Sequence, residues 1–190
     1  MRFTEIEHKF VVDAAFDREA FARALERLGP VRQSSIQVRD RYFVTEDGRT
    51  RQYVIRHRFD EEIHELTIKS VQADPEVRDE ISLNLGHHAG DQAAQVDAFV
   101  GHMGVVWSGV LEKDLMVWYF PDCEVVYYVA SSGPREVRCV EFEATRQTSV
   151  PDALAVVARY EAALGFDPGA RSLASLVDLI FPDSFGMLRR

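Results

Sequence analysis

Charged side chains alternate with Ile6, His8 and Phe10 over residues 5–10, within a first strand that the sequence predicts over residues 3–12. Side chains two positions apart in a strand project from the same face, so Glu5, Glu7 and Lys9 share one face. The positions between them lie on the other face. Taken alone, this pattern is also typical of a strand with one water-facing side. Its meaning depends on whether the rest of the chain supplies partners for these charges.

Four more strands follow at the spacing of β-hairpins, after a helix predicted over residues 17–28. The strands are predicted over residues 36–44, 51–59, 63–70 and 77–85. Glu46, Asp47 and Gly48 form a hairpin turn signal after the first of them, and a break is predicted at residues 73–75. Consecutive hairpins of this kind indicate an antiparallel meander.

The second half of the chain adds more strands and helices of the same amphipathic type. Strands are predicted over residues 105–111, 115–120, 124–130 and 137–145, and helices over residues 91–102 and 151–164. Ser172 is predicted to cap a final short helix that ends at Ile180. The sequence contains no linker, low-complexity tract or repeat, so we expect one α+β domain over residues 1–190.

The alternation of the first strand recurs on later strands. Their charged and polar faces are formed by Arg56 and Arg58, by Glu65, Thr67 and Lys69, by Arg78, Glu80 and Ser82, and by Glu141 and Glu143. Each of these faces, taken alone, is also compatible with a water-facing surface. However, the amphipathic helices need an apolar sheet surface to cover, and they must lie outside a curved sheet. The charged faces would then turn inward, into the lumen of a barrel.

A lumen lined by charges requires internal pairing, water or charged ligands, because burying an unpaired charge is very costly. Arginine offers planar donor pairs for phosphate oxygens, and lysine offers a compact positive charge. Clustered carboxylates suit Mg²⁺, which binds a few carboxylates together with water and phosphate oxygens. Acids and bases together therefore predict a site for a metal ion and a polyphosphate.

Composition and charge restrict the function and the location further. The chain has 190 residues, a formal net charge of −9 and a pI of about 5.2, which argues against binding to a nucleic acid polymer. Cys123 and Cys139 lack a CxxC motif and are predicted to be reduced thiols that could be neighbours. We expect a cytoplasmic protein without a membrane segment. His8 and His57 fall on the predicted outer face and are expected to pack against helices.

These motifs, in this order, resemble those of the CYTH family, also called triphosphate tunnel metalloenzymes. The ExExK signature of the family matches Glu5-Ile6-Glu7-His8-Lys9. The later motifs match Arg56-His57-Arg58, Thr67-Ile68-Lys69, Arg78-Asp79-Glu80, Lys113, Glu141-Phe142-Glu143 and Arg171-Ser172-Leu173 with Leu176. ExExK alone is a weak pattern, but an ordered series that covers nearly the whole chain is specific.

The resemblance implies a closed eight-stranded antiparallel β-barrel that binds a small-molecule triphosphate with Mg²⁺ or Mn²⁺. It implies phosphate contacts from Lys9, Arg56, Arg58, Lys69, Arg78 and Lys113. It implies metal ligands among Glu5, Glu7, Glu80, Glu141 and Glu143, and catalytic roles for Glu5, Lys9, Glu141 and Glu143. A triphosphate hydrolase is the leading interpretation. A class IV adenylate cyclase and a non-catalytic polyphosphate- or nucleotide-binding protein are the alternatives, and a homodimer is a further expectation from the family.

The sequence departs from the family pattern at two places. Leu115 stands where the family commonly has an arginine, and the strand after it has no aspartate near Val126, which leaves Glu124 as the nearest acid. Either the alignment slips in this region or the second half of the tunnel has lost one phosphate contact and one metal contact.

Overall fold

Eight antiparallel strands form the centre of the protein. The computed structural model describes residues 4–60, 63–71, 76–86 and 92–185. The strands are β1 (Thr4–Val12), β2 (Arg32–Thr45), β3 (Tyr53–Phe59), β4 (His64–Ser70), β5 (Val77–Asn84), β6 (Val105–Tyr119), β7 (Cys123–Ser132) and β8 (Arg135–Ala144). They close into a barrel in the order β1-β5-β4-β3-β2-β6-β7-β8. The predicted fold class is therefore confirmed.

Six α-helices occur in the described part of the chain. They are α1 (Arg18–Arg27), α2 (Glu46–Arg51), α3 (Gln92–Gly101), α4 (Val150–Leu164), α5 (Leu176–Ile180) and α6 (Pro182–Phe185). Helix α1 begins where sequence reasoning predicted, because the Asp17 side chain accepts a hydrogen bond from the backbone N–H of Ala20 at 2.9 Å. Among the described residues, no helix has the length and apolar character needed to cross a lipid bilayer.

The closure of the barrel depends on β1, which joins two groups of strands. Strands β2 to β5 follow one another as the predicted meander. Strand β1 pairs with β5, where Glu5 lies opposite Arg78, and with β8, where Lys9 lies opposite Glu141. The charged face of β1 therefore lies between the charged faces of its two neighbours.

The outer face of this part of the barrel is an apolar core covered by α1 and α4. Phe10, Trp118 and Phe142 project outward from the strands and are buried against Phe21 of α1 and Val157 of α4. Full burial of a side chain such as Phe142 contributes about 1.5–3 kcal/mol. Because these apolar faces are held under helices, the alternating charged residues point into the lumen.

The two outer-face histidines pack against helices, as predicted. The His8 ring is 2% exposed, and its Nδ1 lies 2.7 Å from a carboxylate oxygen of Glu161 in α4. The Nδ1 atom of His57 lies 2.9 Å from a carboxylate oxygen of Asp97 in α3. These histidines therefore connect the barrel to its helices.

Helix α5 packs against residues that face the lumen of the barrel. Its residues Leu176, Val177 and Ile180 are buried against inward-facing residues that include Leu111 and Tyr128. Ser175 caps the helix in a capping box with Asp178, and not Ser172 as predicted. The backbone N–H of Ser172 instead donates to the carbonyl of Lys9 at 2.7 Å, so this residue anchors the segment that leads to α5.

The turn predicted at Glu46, Asp47 and Gly48 is wrong, because these residues begin helix α2. The hydroxyl of Thr45 accepts a hydrogen bond from the backbone N–H of Gly48 at 2.9 Å and caps the helix. Gln52, with a φ of 58°, ends it in the left-handed conformation. The cap at Thr45 therefore outweighs the turn preference of the sequence.

The strand break predicted around Glu112, Lys113 and Asp114 is also wrong, because β6 runs unbroken through these residues. Lys113 points into the lumen, whereas Glu112 and Asp114 point outward. Because side chains alternate between the two faces of a strand, three consecutive charged residues are compatible with a strand here. Cys123 and Cys139 are free and are not neighbours, since Cys123 belongs to the outer core and Cys139 to the inner cluster. The break predicted at residues 73–75 lies outside the described residues.

Candidate active site

The predicted site residues meet inside the barrel. A cavity of about 250 Å³ is lined by the basic side chains Lys9, Arg56, Arg58, Lys69, Arg78 and Lys113. The same cavity is lined by the acidic side chains Glu5, Glu7, Glu141 and Glu143. Glu80 contacts two of the cations that line the cavity, Lys69 and Arg56. The inward orientation expected from the alternation is therefore present on β1, β3, β4, β5 and β8.

Lys9 lies between two carboxylates at the junction of β1 and β8. Its Nζ atom is 3.4 Å from Glu7 and 3.2 Å from Glu141. Burial alone would lower the pKa of Lys9, but the carboxylates of Glu141 and Glu7 outweigh it and raise the pKa. The hydroxyl of Tyr128 donates to Glu141 at 2.7 Å, a contact that sequence reasoning missed.

A second network joins β1, β4 and β5. The Nζ atom of Lys69 is 3.0 Å from Glu5 and 2.6 Å from Glu80, while Arg78 pairs with both Glu5 and Glu7. Burial would raise the pKa of Glu80, but Lys69, Arg56 and hydrogen bonding together outweigh it, and the pKa falls to about 2. These carboxylates therefore hold the phosphate-binding candidates as charged, ordered side chains.

Asp40 on β2 is a central site residue that sequence reasoning missed. It is fully buried, accepts hydrogen bonds from Arg58 at 2.7 and 2.8 Å, and lies 2.8 Å from the Nζ atom of Lys113. Burial would raise the pKa of Asp40, but Lys113 and Arg58 hold it well below its usual value. The sequence did contain one indication of this position. Asp40 shares a strand face with Val38 and Tyr42, both of which line the cavity.

Carboxylates are crowded in one row across three neighbouring strands. Glu143 on β8 lies opposite Glu7 on β1 and opposite Glu124 on β7. Burial raises the pKa of Glu143 well above its usual value, and the negative charges of Glu5, Glu7 and Glu124 raise it further. Glu143 therefore keeps its proton to a higher pH than an ordinary glutamate, because nearby cations do not fully offset the charge of the other carboxylates in this row.

Such a row is chemically suited to a hard divalent cation, which prefers carboxylate oxygens. Among the described residues, no three acidic, histidine or cysteine side chains are already arranged around a position for a metal ion. Glu5 and Glu7 are turned toward Lys69 and Arg78 instead. The donor set therefore fits Mg²⁺ or Mn²⁺ by its chemistry, and these carboxylates would have to turn away from their cations to bind it.

Both departures from the family pattern face the lumen. Leu115 and Val126 line the cavity, and so does Glu124, two residues before Val126 on the same strand face. An apolar side chain therefore stands at the expected arginine position. Glu124 therefore lies two residues before Val126, the position near which the family has its aspartate, and it is the preceding inward-facing residue of β7.

The C-terminal motif residue Arg171 lies outside the cavity and has a structural role. Its guanidinium donates to both carboxylate oxygens of Glu161, at 3.1 and 2.6 Å, and Glu161 is fully buried. The same carboxylate contacts His8 of β1. Arg171 therefore ties the segment that leads to α5 to the strand that carries Glu7 and Lys9.

Comparison with known protein families agrees with this geometry. The model of the CYTH domain matches residues 4–113, which is more than half of the chain. The chain belongs to the CYTH family. A search of curated proteins gave no match.

Solved structures share the CYTH barrel at low sequence identity. A protein from Pyrococcus horikoshii OT3 is 17% identical with a TM-score of 0.72, covering 93% of this chain and 99% of its own. A candidate adenylate cyclase from Bacillus halodurans is 17% identical with a TM-score of 0.60, covering 93% and 97%. A candidate adenylyl cyclase from Hippeastrum, reported to have a dominant triphosphatase activity, is 13% identical with a TM-score of 0.57, covering 97% and 95%. At these identities the likeness concerns the fold.

Proposed function

We propose that this CYTH protein is a divalent-metal-dependent hydrolase of a triphosphate compound. CYTH proteins include triphosphatases and adenylate cyclases, so action on a triphosphate is the family-level starting point. The observation that supports the proposal most is the cavity that brings Lys9, Lys69 and Arg78 together with Glu5 and Glu141. Neither a simple apolar ligand nor an uncharged sugar requires such a combination.

The cations bind and orient the phosphates in this proposal. Lys9, Arg56, Lys69 and Arg78 come from four different strands, and each is paired with at least one glutamate. A triphosphate would exchange these internal pairs for charge-assisted hydrogen bonds to its own oxygens. The carboxylates released in this way are the residues that we assign to the metal.

Glu5, Glu7, Glu80, Glu141 and Glu143 are the residues that would hold Mg²⁺ or Mn²⁺. A bound divalent ion offsets the charge of phosphate oxygens and lowers the pKa of a bound water. Carboxylates freed from Lys69, Lys9 and Arg78 would be drawn to this ion. Metal and triphosphate would therefore bind cooperatively, each one freeing the residues that the other needs.

The reaction consumes one water molecule. Its oxygen bonds to the terminal phosphorus, while the bond from that phosphorus to the bridging oxygen breaks and leaves its electron pair on the departing diphosphate portion. A carboxylate among Glu5, Glu141 and Glu143 orients the water and accepts its proton, which then passes to solvent. Lys9 and its neighbouring cations stabilise the negative charge that develops on the departing oxygen.

Product analysis tests this proposal. The protein is incubated with Mg²⁺ or Mn²⁺ and with inorganic triphosphate, thiamine triphosphate or ATP, and phosphate, pyrophosphate and cyclic AMP are measured. We expect phosphate release that stops when the metal is chelated. Pyrophosphate together with cyclic AMP would favour an adenylate cyclase instead. Tight binding without turnover would favour a non-catalytic binding protein.

A further inference from the structure

The wall of the tunnel formed by β2, β6 and β7 is largely apolar. Ile36 lies opposite Leu115, and Val117 lies opposite Val126, so these side chains form neighbouring cross-strand pairs. All four line the same cavity as the charged residues. We refer to Ile36, Leu115, Val117 and Val126 as the apolar wall.

The apolar wall is continuous with the residues of α5 that line the cavity. Leu176 and Val177 of α5 line the cavity and are buried in one cluster with Tyr128, and Leu115 and Val126 pack against that cluster. A ligand group against the apolar wall would therefore lie within the protein.

The positive charge that a ligand can reach lies on the other side of the tunnel. Lys9, Arg56, Lys69 and Arg78 belong to β1, β3, β4 and β5. Lys113 comes from the strand of Leu115, but it is bound to the fully buried Asp40. The cavity therefore has one side rich in cationic donors for phosphate oxygens. On the other side the donors are the Asp40-bound Lys113 and the hydroxyls of Tyr119 and Tyr128, and Glu124 adds a negative charge.

This asymmetry is unfavourable for inorganic triphosphate. Its anionic oxygens surround the whole phosphate chain, so those near Leu115 and Val126 would lose water without gaining a donor. An ester of triphosphate reduces this loss when its apolar organic group, and not a phosphate, lies beside Leu115 and Val126. That group covers the apolar wall and also gains the free energy of removing apolar surface from water.

We propose that the substrate is an organic triphosphate whose uncharged apolar or aromatic group lies against Leu115, Val117 and Val126. Its phosphates would bind on the side of Lys9, Lys69 and Arg78. This inference rests on the proposed hydrolase function and narrows its substrate class. It assigns substrate selectivity to the two positions at which the chain departs from the family pattern.

The test compares phenyl triphosphate with inorganic triphosphate in a metal-dependent phosphate-release assay. The measured quantity is the ratio of the two kcat/KM values. We expect the wild-type protein to prefer phenyl triphosphate at least tenfold. Leu115→Arg supplies a donor for phosphate oxygens and removes apolar surface, so we expect it to lower this ratio at least tenfold.

Two further variants provide a control and an independent second test of the apolar wall. Leu83→Arg makes the same change on the outer face of β5, where Leu83 is 59% exposed, and should leave the ratio unchanged. Val126→Thr adds a hydroxyl at nearly constant volume and should lower the ratio at least threefold, even if Leu115→Arg does not fold. Equal use of both compounds by the wild-type protein, or unchanged ratios in Leu115→Arg and Val126→Thr, would overturn this inference alone. Absence of turnover of both compounds would overturn the proposed hydrolase function as well.

Discussion

Asp40 accepts two hydrogen bonds from the guanidinium of Arg58 inside the barrel, at 2.7 and 2.8 Å. The same carboxylate lies 2.8 Å from the Nζ atom of Lys113, so one acid holds two of the predicted phosphate-binding cations. Asp40 is fully buried, whereas the Glu5 and Glu80 side chains that pair with Lys69 are 9% and 18% exposed. We refer to Asp40, Arg58 and Lys113 as the fixed group. The exchangeable group is the set of glutamates paired with Lys9, Arg56, Lys69 and Arg78, which we propose to be released when a triphosphate binds.

Asp40→Asn tests the fixed group through protein stability. The substitution leaves Arg58 and Lys113 buried without their counter-charge, and breaking a buried pair in this way costs about 3–5 kcal/mol. Urea unfolding should show this decrease in the free energy of unfolding. Glu19→Gln is the matched control, because Glu19 is an exposed acid with a weak ion pair and its change should stay within about 0.5 kcal/mol. Equal stability of the two variants would show that the buried pair is not needed.

The stabilisation from Asp40 should depend on pH in a defined direction. Its pKa in the folded state lies well below its usual value of 3.8, because Lys113 and Arg58 outweigh the effect of burial. A depressed pKa gives stability that is fully present above the unfolded value and is lost as the pH falls through the folded value. The stability gap between the wild type and Asp40→Asn should therefore be constant at neutral pH and should shrink below about pH 4. A gap that persists unchanged at lower pH would contradict this assignment.

Lys69→Met tests the exchangeable group through substrate binding. Lys69 is paired with Glu5 and Glu80, which would move to the metal when a triphosphate takes their place. Loss of a charge-assisted hydrogen bond costs about 1.5–3 kcal/mol, so KM should rise by roughly ten- to hundredfold. Lys113→Met is the comparison, because Lys113 is held by Asp40, and it should raise KM less. An equal rise in KM for both variants would contradict the division into two groups.

Gly109→Ala tests the contact between β6 and the segment that follows α5. A Cβ atom at Gly109 would lie 2.8 Å from the ring of Phe181 and 2.8 Å from the ring of Trp107. Overpacking of this kind costs about 1–3 kcal/mol, so the melting temperature should fall. Gly101→Ala is the matched control, since an added Cβ there meets no atom within 4 Å and helix α3 should be slightly stabilised. Similar melting temperatures of the two variants would show that the contact of Gly109 with Phe181 and Trp107 adapts without cost.

The sequence predicted the charged half of the tunnel because two independent patterns agree there. Alternation on β1 and β8 places Glu5, Glu7, Glu141 and Glu143 on one face of each strand, and the helices require the other face. The fixed group was not predicted, because the partner of an inward acid such as Asp40 depends on which strands are neighbours. Strand β2 pairs with β6, which is distant in the sequence. The periodicity of polar and apolar residues within one strand does not predict such a pairing.

Local sequence preferences gave wrong predictions for two segments, the strand break at Glu112, Lys113 and Asp114 and the N-cap of α5. Glu112, Lys113 and Asp114 resemble a turn by composition, but in a strand their alternation sends one charge inward to Asp40 and two outward to water. Ser172 and Ser175 are both capable of capping a helix, and the tertiary contact between Ser172 and Lys9 decides between them. In both cases a long-range contact outweighs the local preference.

Metal-dependent phosphate release by the wild type and by Glu141→Gln tests whether the charged lumen is a hydrolytic metal and triphosphate site. Glu141 contacts Lys9 at 3.2 Å and Tyr128 at 2.7 Å, and it is one of the three acids that we assign both to the metal and to the water. We expect the wild type to release phosphate from a triphosphate only with Mg²⁺ or Mn²⁺, and Glu141→Gln to lose this activity while still folding. Glu136→Gln, an accessible acid near the start of the same strand, should retain the activity. An unchanged rate of metal-dependent phosphate release in Glu141→Gln would contradict the account.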